Sequence, residues 1–405
     1  MIRHQEIERK VHADSTIELI IEPEKIPFIS YPYEWCFSQL KDAALATLKI
    51  QQEALQFGMT LKDSSAYNIQ FFHGRPIHID TLSFKIYQEG QPWYPYRQFC
   101  QHFLAPLVLM KEIHLDLGKI LRIYTNGLPL EIILQILPWR KRLRPPIFFH
   151  LVLQEILQKF FEKSRFSGRK TPYLSRQKLF ALLDHLERTV DALHIKTPKT
   201  VWTEYYSECH YAAQAFGDKE KIISNLLEKI RPSLIWSLGE NKGHFSRLAG
   251  RKGISTIAID SDAAVTEAHY LRCKKEKNSS ILPLLIDLEN PSPSLGWGGE
   301  ERFALHERGR ADALLCLALI HHLAAKGIPL HLMASYFAKL SSTLIIEFVP
   351  KEDPQIQCII QSHEGLFAHY DQNGFEQAFS DYFRIISAHP IRESTRVIYW
   401  MQKRD

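Results

Sequence analysis

The sequence offers little for a disulfide framework, a zinc centre or a membrane span. Its 405 residues contain only six cysteines, spread along the chain without a C-x-x-C pair. We therefore expect reduced thiols rather than zinc ligands or disulfides. No apolar run is long enough to cross a bilayer, and the first residues carry no apolar signal segment. These absences predict a soluble, cytoplasmic protein without a membrane partner.

Charge of one sign is not in large excess either. The formal net charge is +5, and local clusters of basic residues lie at positions 140–144, 165–170 and 274–277. On a chain of this length such clusters are usually solvated faces, although RNA or an acidic substrate could use them. Nucleic acid is therefore a possible partner but not a favoured one.

The chain divides near residue 200, where a polar stretch containing a proline interrupts the helical patterns. A chain of this size can bury more than one core. We predict an accessory domain at residues 1–200, a linker with a lead-in helix at 201–232, and a second domain at 233–405. Amphipathic patterns at 148–161 and 174–193 predict that the first domain is mainly helical, with an α+β organisation.

The most informative feature is a strand-like run at 234–238 that leads directly into a loop containing Gly239 and Gly243. A second run at 256–259 ends on Asp260, about twenty residues after the first glycine, which is the layout of a nucleotide-binding β-α-β unit. Glycines let the backbone approach a ligand closely. The acidic residue can accept hydrogen bonds from both hydroxyls of a ribose.

The spacing inside this loop discriminates between cofactors. A dinucleotide fold uses a G-x-G-x-x-G turn, whereas here Gly239 and Gly243 flank Asn241. The loop fits the G-x-G-x-G pattern of S-adenosylmethionine enzymes better, with Asn241 in place of the middle glycine. Asparagine tolerates a left-handed backbone better than other residues with side chains, so the turn stays feasible.

Further strand-like runs alternate with helical segments. A helix-like stretch at 263–275 follows Asp262, and the next run, at 281–286, closes on Asp287, whose carboxylate could take an adenine amino group. Three more strand-like runs lie at 311–320, 342–346 and 396–400. The alternation predicts an α/β fold with a doubly wound sheet that binds ligands at its carboxyl edge.

Two of these runs end on side chains that could take part in chemistry. The run at 311–320 ends at His321 and His322, and the run at 342–346 ends on Glu347. One imidazole could serve as a general base near neutral pH, with His321 favoured as the first residue past the strand, or both could line the pocket. Glu347 could bind a substrate hydroxyl or ammonium group, or form an ion pair that supports the fold.

The amino-terminal region holds a second pattern. Asp63 is followed five residues later by Asn68, and Asp80 comes twelve residues after that, across a hairpin turned at 73–76. Kinase-like folds place a catalytic Asp and two magnesium ligands at nearly this spacing. Fewer than thirty residues without a glycine precede position 29, too few for a lobe that covers ATP. A degenerate kinase-like lobe, or residues that cap turns of an unrelated domain, are the alternatives.

The residues from about 234 to the end resemble a class I S-adenosylmethionine-dependent methyltransferase. The phrases ISYPYEW, LKDSSAYNIQF, YRQFCQHFLAPL, ALIHHL and IIEFVPKEDP are similar to the nodulation protein NoeA family of methyltransferases. That resemblance covers nearly the whole chain. It implies a Rossmann-like methyltransferase sheet in the carboxyl-terminal half and S-adenosyl-L-methionine as the cofactor.

Carried over residue by residue, the resemblance implies that Gly239, Glu240 and Gly243 form the cofactor loop. Asp260 would hold the ribose and Asp287 would meet the adenine. The predicted cofactor site also includes Ser237, Asn241, Asp262 and Ala318. Ser237 departs from the family, because many such enzymes have an acidic residue there that reaches the methionine end of the cofactor.

The acceptor is less well defined by the sequence. No N-P-P-Y or D-P-P-Y motif of amino-methylating enzymes follows the fourth strand, and no cysteine near it has the setting of a nucleophile for base methylation. This favours an oxygen acceptor on a small molecule or glycan. An RNA or protein methyltransferase stays open, as does a non-catalytic interaction module built from two degenerate folds. The oligomeric state is not predicted.

Overall fold

The computed structural model describes residues 1–11, 17–163, 173–196, 213–354, 356–357, 359, 367 and 370–404. The chain forms two compact units, Met1–Lys196 and Thr197–Asp405. In the described part of the chain, no helix is both long enough and apolar enough to cross a membrane.

The first unit is mainly helical and contains three two-stranded antiparallel sheets, which pair β1 with β2, β3 with β6 and β4 with β5. The strands are β1 (His4–Val11), β2 (Ile17–Pro23), β3 (Met59–Leu61), β4 (Ile69–Phe72), β5 (Arg75–His78) and β6 (Phe84–Ile86). The helices are α1 (Phe37–Gln56), α2 (Tyr96–Phe99), α3 (Ala105–Glu112), α4 (Leu130–Ile136), α5 (Trp139–Arg142), α6 (Pro145–Ile147), α7 (Leu153–Lys163) and α8 (Arg176–Asp191). This is the α+β organisation that the sequence predicts.

The β4–β5 hairpin forms where the sequence predicts it. Its two-residue turn, His73 and Gly74, has both residues at positive φ, 49° and 70°. Such turns match the right-handed twist of the strands that they join, which is why they favour hairpins. Asn68 precedes β4 and Asp80 follows β5, so the hairpin brings the ends of this pattern together.

The second unit is built on one seven-stranded sheet. Its strands are β7 (Leu234–Leu238), β8 (Ser255–Asp260), β9 (Ile281–Leu285), β10 (Ala313–Cys316), β11 (Thr343–Phe348), β12 (Phe383–Pro390) and β13 (Val397–Lys403). Its helices are α9 (Ala213–Ile230), α10 (His244–Arg251), α11 (Ala263–Lys275), α12 (Ile320–Ala325), α13 (Leu330–Leu340) and α14 (Gln372–Ser380).

The strand order defines the fold class. Across the sheet it is β12-β13-β11-β10-β7-β8-β9; β7 to β11 are parallel, and β13 runs antiparallel to β11. Residues of α9 and α10 pack on one face, against Ile235, Leu315 and Ile345. The central strands are buried on both faces, as parallel sheets require. This is the doubly wound, Rossmann-like sheet of class I methyltransferases, as predicted.

Three details of the sheet differ from the prediction. The apolar run at 311–320 is not one strand, because β10 ends at Cys316, Ala318 has a positive φ of 50°, and α12 begins at Ile320. Glu347 lies within β11 rather than after it. The strand β12 was not predicted, because its residues alternate between buried and exposed without a strong apolar run.

Candidate cofactor and acceptor site

The glycine loop that follows β7 lies between the ends of β8 and β10. The amides of Gly239 and Glu240 both donate to the carbonyl of Ile259, at 2.9 and 3.2 Å. A Cβ added to Gly239 would lie only 3.0 Å from Leu319 Cδ1, in the segment after β10. The loop therefore occupies the middle of the carboxyl edge, at the topological switch point where doubly wound sheets bind ligands.

The backbone of this loop is left-handed at three positions. The φ angles of Gly239, Asn241 and Gly243 are 67°, 52° and 72°. Asn241 therefore adopts the left-handed conformation that the middle position of the glycine pattern requires. Its Oδ1 is buried and has no hydrogen-bond partner within the described residues. A buried acceptor left unpaired costs roughly 1–3 kcal/mol, and a donor that reached this atom would recover that cost.

His269, on α11, packs directly beneath the loop. A Cβ at Gly243 would collide with the imidazole ring, so this position requires glycine for space as well as for its φ angle. Burial lowers the pKa of His269 to about 3, so the ring is neutral. The sequence does not identify His269, because the pattern of α11 does not show that this histidine packs against the glycine loop after β7.

Asp260 joins the loop to the second strand of the β-α-β unit. Its Oδ2 accepts from the Asn241 amide at 2.8 Å, and its Oδ1 accepts from the Asp262 amide at 2.9 Å. Burial raises the pKa of Asp260 to about 6. Each carboxylate oxygen has a further lone pair, so Asp260 can hold the loop and still accept from a ligand hydroxyl.

The other two predicted acidic residues have local backbone partners. Asp262 is the N-cap of α11, and its Oδ1 accepts from the amides of Ala264 and Val265 at 2.8 and 3.0 Å. Asp287 follows β9 and accepts from the Glu289 amide at 2.9 Å. Asp262 is therefore accounted for by helix capping, whereas Asp287 stands at the carboxyl edge with part of its acceptor capacity in use.

Glu240 supplies a carboxylate beside the position where Ser237 departs from the family pattern. The Ser237 hydroxyl donates to Glu240 Oε2, and the Ser246 amide donates to Glu240 Oε1 at 2.9 Å. Burial raises the pKa of Glu240. Glu240, three residues after Ser237, therefore places a carboxylate within hydrogen-bonding distance of the serine hydroxyl.

His321 and His322 lie in the first turn of α12, beyond the strained Ala318. Their ring centroids are 4.1 Å apart. The His321 side chain is fully buried, and neither ring nitrogen has a partner within the described residues. Burial lowers the pKa of His321 well below its ordinary value and that of His322 to about 4. Both rings are therefore neutral near pH 7.

Glu347 belongs to a buried ionic network. Its Oε2 is 2.6 Å from Lys219 Nζ, and its Oε1 is 3.6 Å from an Arg396 nitrogen. Arg396 also donates to both carboxylate oxygens of Asp353, at 2.7 and 3.0 Å. The ion-pair alternative for Glu347 is therefore the one that the structure contains. Sequence patterns do not reveal this network, because its four members come from three separate parts of the chain, at residues 219, 347–353 and 396.

In the first unit, Asp63, Asn68 and Asp80 make local hydrogen bonds. Asp63 accepts from the Ser65 amide at 2.8 Å, and Asp80 accepts from the Leu82 amide at 2.9 Å. The Ser83 hydroxyl donates to Asp80 and accepts from Asn68 Nδ2 at 3.2 Å. Across the residues with described positions, no group of three or more His, Cys, Asp and Glu side chains is placed to hold a metal ion. The basic cluster at 165–170 lies outside them.

The sheet and its glycine loop define the second unit as a class I methyltransferase fold. No protein-family model matches the chain. Nodulation protein NoeA of Rhizobium meliloti (strain 1021) is 34% identical over 398 residues, which cover 96% of this chain and 83% of that protein. The chain therefore belongs to the NoeA family, which confirms the resemblance seen in the sequence.

Solved methyltransferase structures show a more distant likeness. Magnesium protoporphyrin IX methyltransferase from Synechocystis PCC 6803, with bound SAM, is 14% identical, with a TM-score of 0.35 over 50% of this chain and 89% of that one. A structure described as an O-methyltransferase from Nostoc punctiforme PCC 73102 is 14% identical, with a TM-score of 0.38 over 50% and 60% of the two chains. The strand order of the sheet defines the fold of the second unit.

Proposed function

We propose that the second unit is an S-adenosyl-L-methionine-dependent methyltransferase. The observation that carries the proposal is the loop at Gly239–Gly243, which is left-handed at three positions and tied to Asp260 at the switch point of the sheet. Strained backbone concentrates at functional sites, and a second strained residue, Ala318, lies on the adjacent strand end.

The residues present fit the cofactor. Asp260 would accept from the ribose hydroxyls, and Asp287 would meet the adenine amino group. Asn241 Oδ1, which has no partner within the described part of the chain, would accept from a donor of the cofactor. The Glu240 carboxylate, held by Ser237, would face the methionine end. When bound, S-adenosylmethionine supplies an activated methyl group, so the protein needs to exclude water, align the acceptor and take up a proton.

We assign proton uptake to His321, because its imidazole is neutral and neither ring nitrogen has a hydrogen-bond partner among the described residues. His322, half-buried beside it, would line the same side of the site. Glu347 is already held by Lys219, so it would support the site rather than act as the base. The imidazole could take the proton that a hydroxyl group loses on methylation, and the sequence contains no amino-methylation motif. Both points favour a hydroxyl group on a small molecule or glycan as the methyl acceptor.

Calorimetry with S-adenosylmethionine and its demethylated product tests this function. We expect the full-length protein to bind both, with binding weakened in Asp260→Ala. Transfer of radiolabelled methyl groups into a metabolite extract would then identify the acceptor, with Asp260→Ala protein as the control. Binding of neither compound would favour a non-catalytic interaction module, and label in RNA or protein would replace the small acceptor.

A further inference from the structure

We propose that residues 136–149 of the first unit, here called the contact segment, bind the surface of an anionic lipid bilayer. The inference is independent of the proposed methyltransferase function, because it concerns residues outside the second unit. Binding of this kind places apolar side chains in the headgroup layer and needs no spanning helix. It would replace the expectation of a protein without a membrane partner.

The contact segment exposes large apolar side chains. Trp139 and Leu143 are 63% and 60% exposed, and Ile136 and Phe149 are 42% and 54% exposed. Helix α5 begins at Trp139 and has no buried residue, although tryptophan is on average a strongly buried residue in folded proteins. Packing in the protein interior therefore does not account for these side chains.

The two most exposed apolar side chains share one helical turn. Trp139 and Leu143 are four residues apart, and Leu143 still has helical φ and ψ angles of −79° and −7°. Side chains at this spacing lie on the same face of a helix. Pro138 precedes the turn and Pro145 follows it, and proline fixes the backbone φ angle. The turn therefore presents Trp139 and Leu143 as one ordered apolar face.

The same turn carries four cations, which are Arg140, Lys141, Arg142 and Arg144. Lys141 and Arg144 both bind the carboxylate of Glu112, with Arg144 Nη1 at 2.5 Å from Glu112 Oε1. The side chain of Glu112 is 5% exposed, whereas those of Lys141 and Arg144 are 35% and 48% exposed. One buried anion therefore orders two cations that stay accessible to a partner. Arg142 Nε donates to the Leu137 carbonyl at 2.7 Å.

Arg140 brings positive charge directly to the apolar face, because its guanidinium lies 5.4 Å from the centre of the Trp139 ring. With Glu112 counted, the cluster keeps three net positive charges. Clustered Lys and Arg bind anionic headgroups, and tryptophan favours the boundary between headgroups and acyl chains. Phosphates of a nucleic acid would pair with the cations but offer nothing to Leu143. An anionic bilayer offers both kinds of partner in one plane.

Sedimentation of the full-length protein with lipid vesicles tests the proposal. We expect binding to vesicles of equal parts phosphatidylcholine and phosphatidylglycerol, weakened by added salt, and little binding to phosphatidylcholine alone. Arg140→Ser should weaken binding roughly fivefold, the contribution of one cation near an anionic surface. Trp139→Ser combined with Leu143→Ser should weaken it by about tenfold or more, because the buried apolar area is lost.

The matched controls lie in the second unit. Trp297→Ser removes a tryptophan that is 89% exposed, and Lys275→Ser removes an exposed cation from another basic cluster. Both variants should bind the anionic vesicles as the native protein does. Every substitution in this set replaces an exposed side chain, so all melting temperatures should stay close to the native value. Loss of vesicle binding can then be assigned to the contact segment rather than to unfolding.

Four outcomes would overturn the proposal. The first two are native protein that does not bind anionic vesicles, or that binds neutral vesicles equally well. The third is undiminished binding after Trp139→Ser with Leu143→Ser. The fourth is a different occupant without vesicle binding: a dimer in ultracentrifugation that this double variant abolishes would assign the segment to a second copy of the chain, and RNA binding that Arg140→Ser weakens would assign it to nucleic acid.

Discussion

The two units of this chain carry patterns of similar strength in the sequence, yet their side chains are used differently. In the second unit, Asp260 reaches across to the Asn241 amide on a neighbouring strand end. In the first unit, Asp63 and Asp80 accept from amides only two residues away. A motif that demands contacts between strands is harder to satisfy by chance than one whose members can each cap their own turn.

Backbone conformation marks the same difference. The loop of the second unit is left-handed at Gly239, Asn241 and Gly243. Glycine adopts this conformation without steric strain, whereas at Asn241 it costs stability. Asp63, Asn68 and Asp80 do not have positive φ, and the left-handed residues between the last two, His73 and Gly74, only form the turn of a hairpin. Spacing alone therefore predicts less than spacing combined with residues that tolerate an unusual backbone.

The largest expected effect on ligand binding is that of Asp260→Ala. Hydrogen bonds that involve a charged group contribute on the order of 1.5–3 kcal/mol, and this substitution also frees the Asn241 amide. Affinity for S-adenosylmethionine, measured by calorimetry, should drop by roughly ten to a hundredfold. The matched control is Asp262→Ala, which removes an N-cap and should cost about 1 kcal/mol of stability while affinity stays near native. The reverse pattern would move the ribose contact to Asp262.

Acidification should weaken cofactor binding through the same carboxylate. Burial raises the pKa of Asp260 to about 6, so the group is ionised at pH 7.5 and mostly protonated at pH 5. A protonated carboxyl loses charge-assisted acceptance, and affinity should fall by roughly tenfold between these pH values. Calorimetry across this range measures it, and Asp260→Asn should flatten the dependence. A pH dependence that persists in Asp260→Asn would assign it to another group.

A smaller effect is expected for Glu240→Gln. This change keeps the shape and part of the hydrogen bonding to Ser237 and Ser246 but removes the charge, so affinity should decrease by roughly three- to tenfold. Adding Ser237→Asp to this variant returns a carboxylate to the position where the family has one, and affinity should recover. In the native background, Ser237→Asp places two carboxylates together and should lower stability. Failure of the double variant to recover would show that Glu240 does not replace the missing acid.

Much of the second unit could be predicted because its signals are local. The strand at Leu234–Leu238 and the helix at Ala263–Lys275 have the predicted bounds, since apolar runs and capping residues define them. The prediction of a single strand at 311–320 is wrong, because apolar composition does not reveal the strained turn at Ala318. His269 and Lys219 could not be found, since their roles depend on which segments the fold brings beside them.

The smallest expected effects are in the first unit, where Asp80 offers the sharpest test of the contrast. Asp80 caps the turn at Thr81–Ser83. Asp80→Ala should therefore lower the free energy of unfolding by about 1 kcal/mol. Asparagine is an equally good cap, so Asp80→Asn should melt close to the native temperature. Binding of S-adenosylmethionine should be unchanged in both variants, and magnesium with ATP should not raise the melting temperature of any of the three proteins.

If Asp80 instead holds magnesium, native protein would show magnesium-dependent nucleotide binding, and Asp80→Asn, which keeps the cap but removes the anionic ligand, would abolish it. That outcome would end the contrast between the two units.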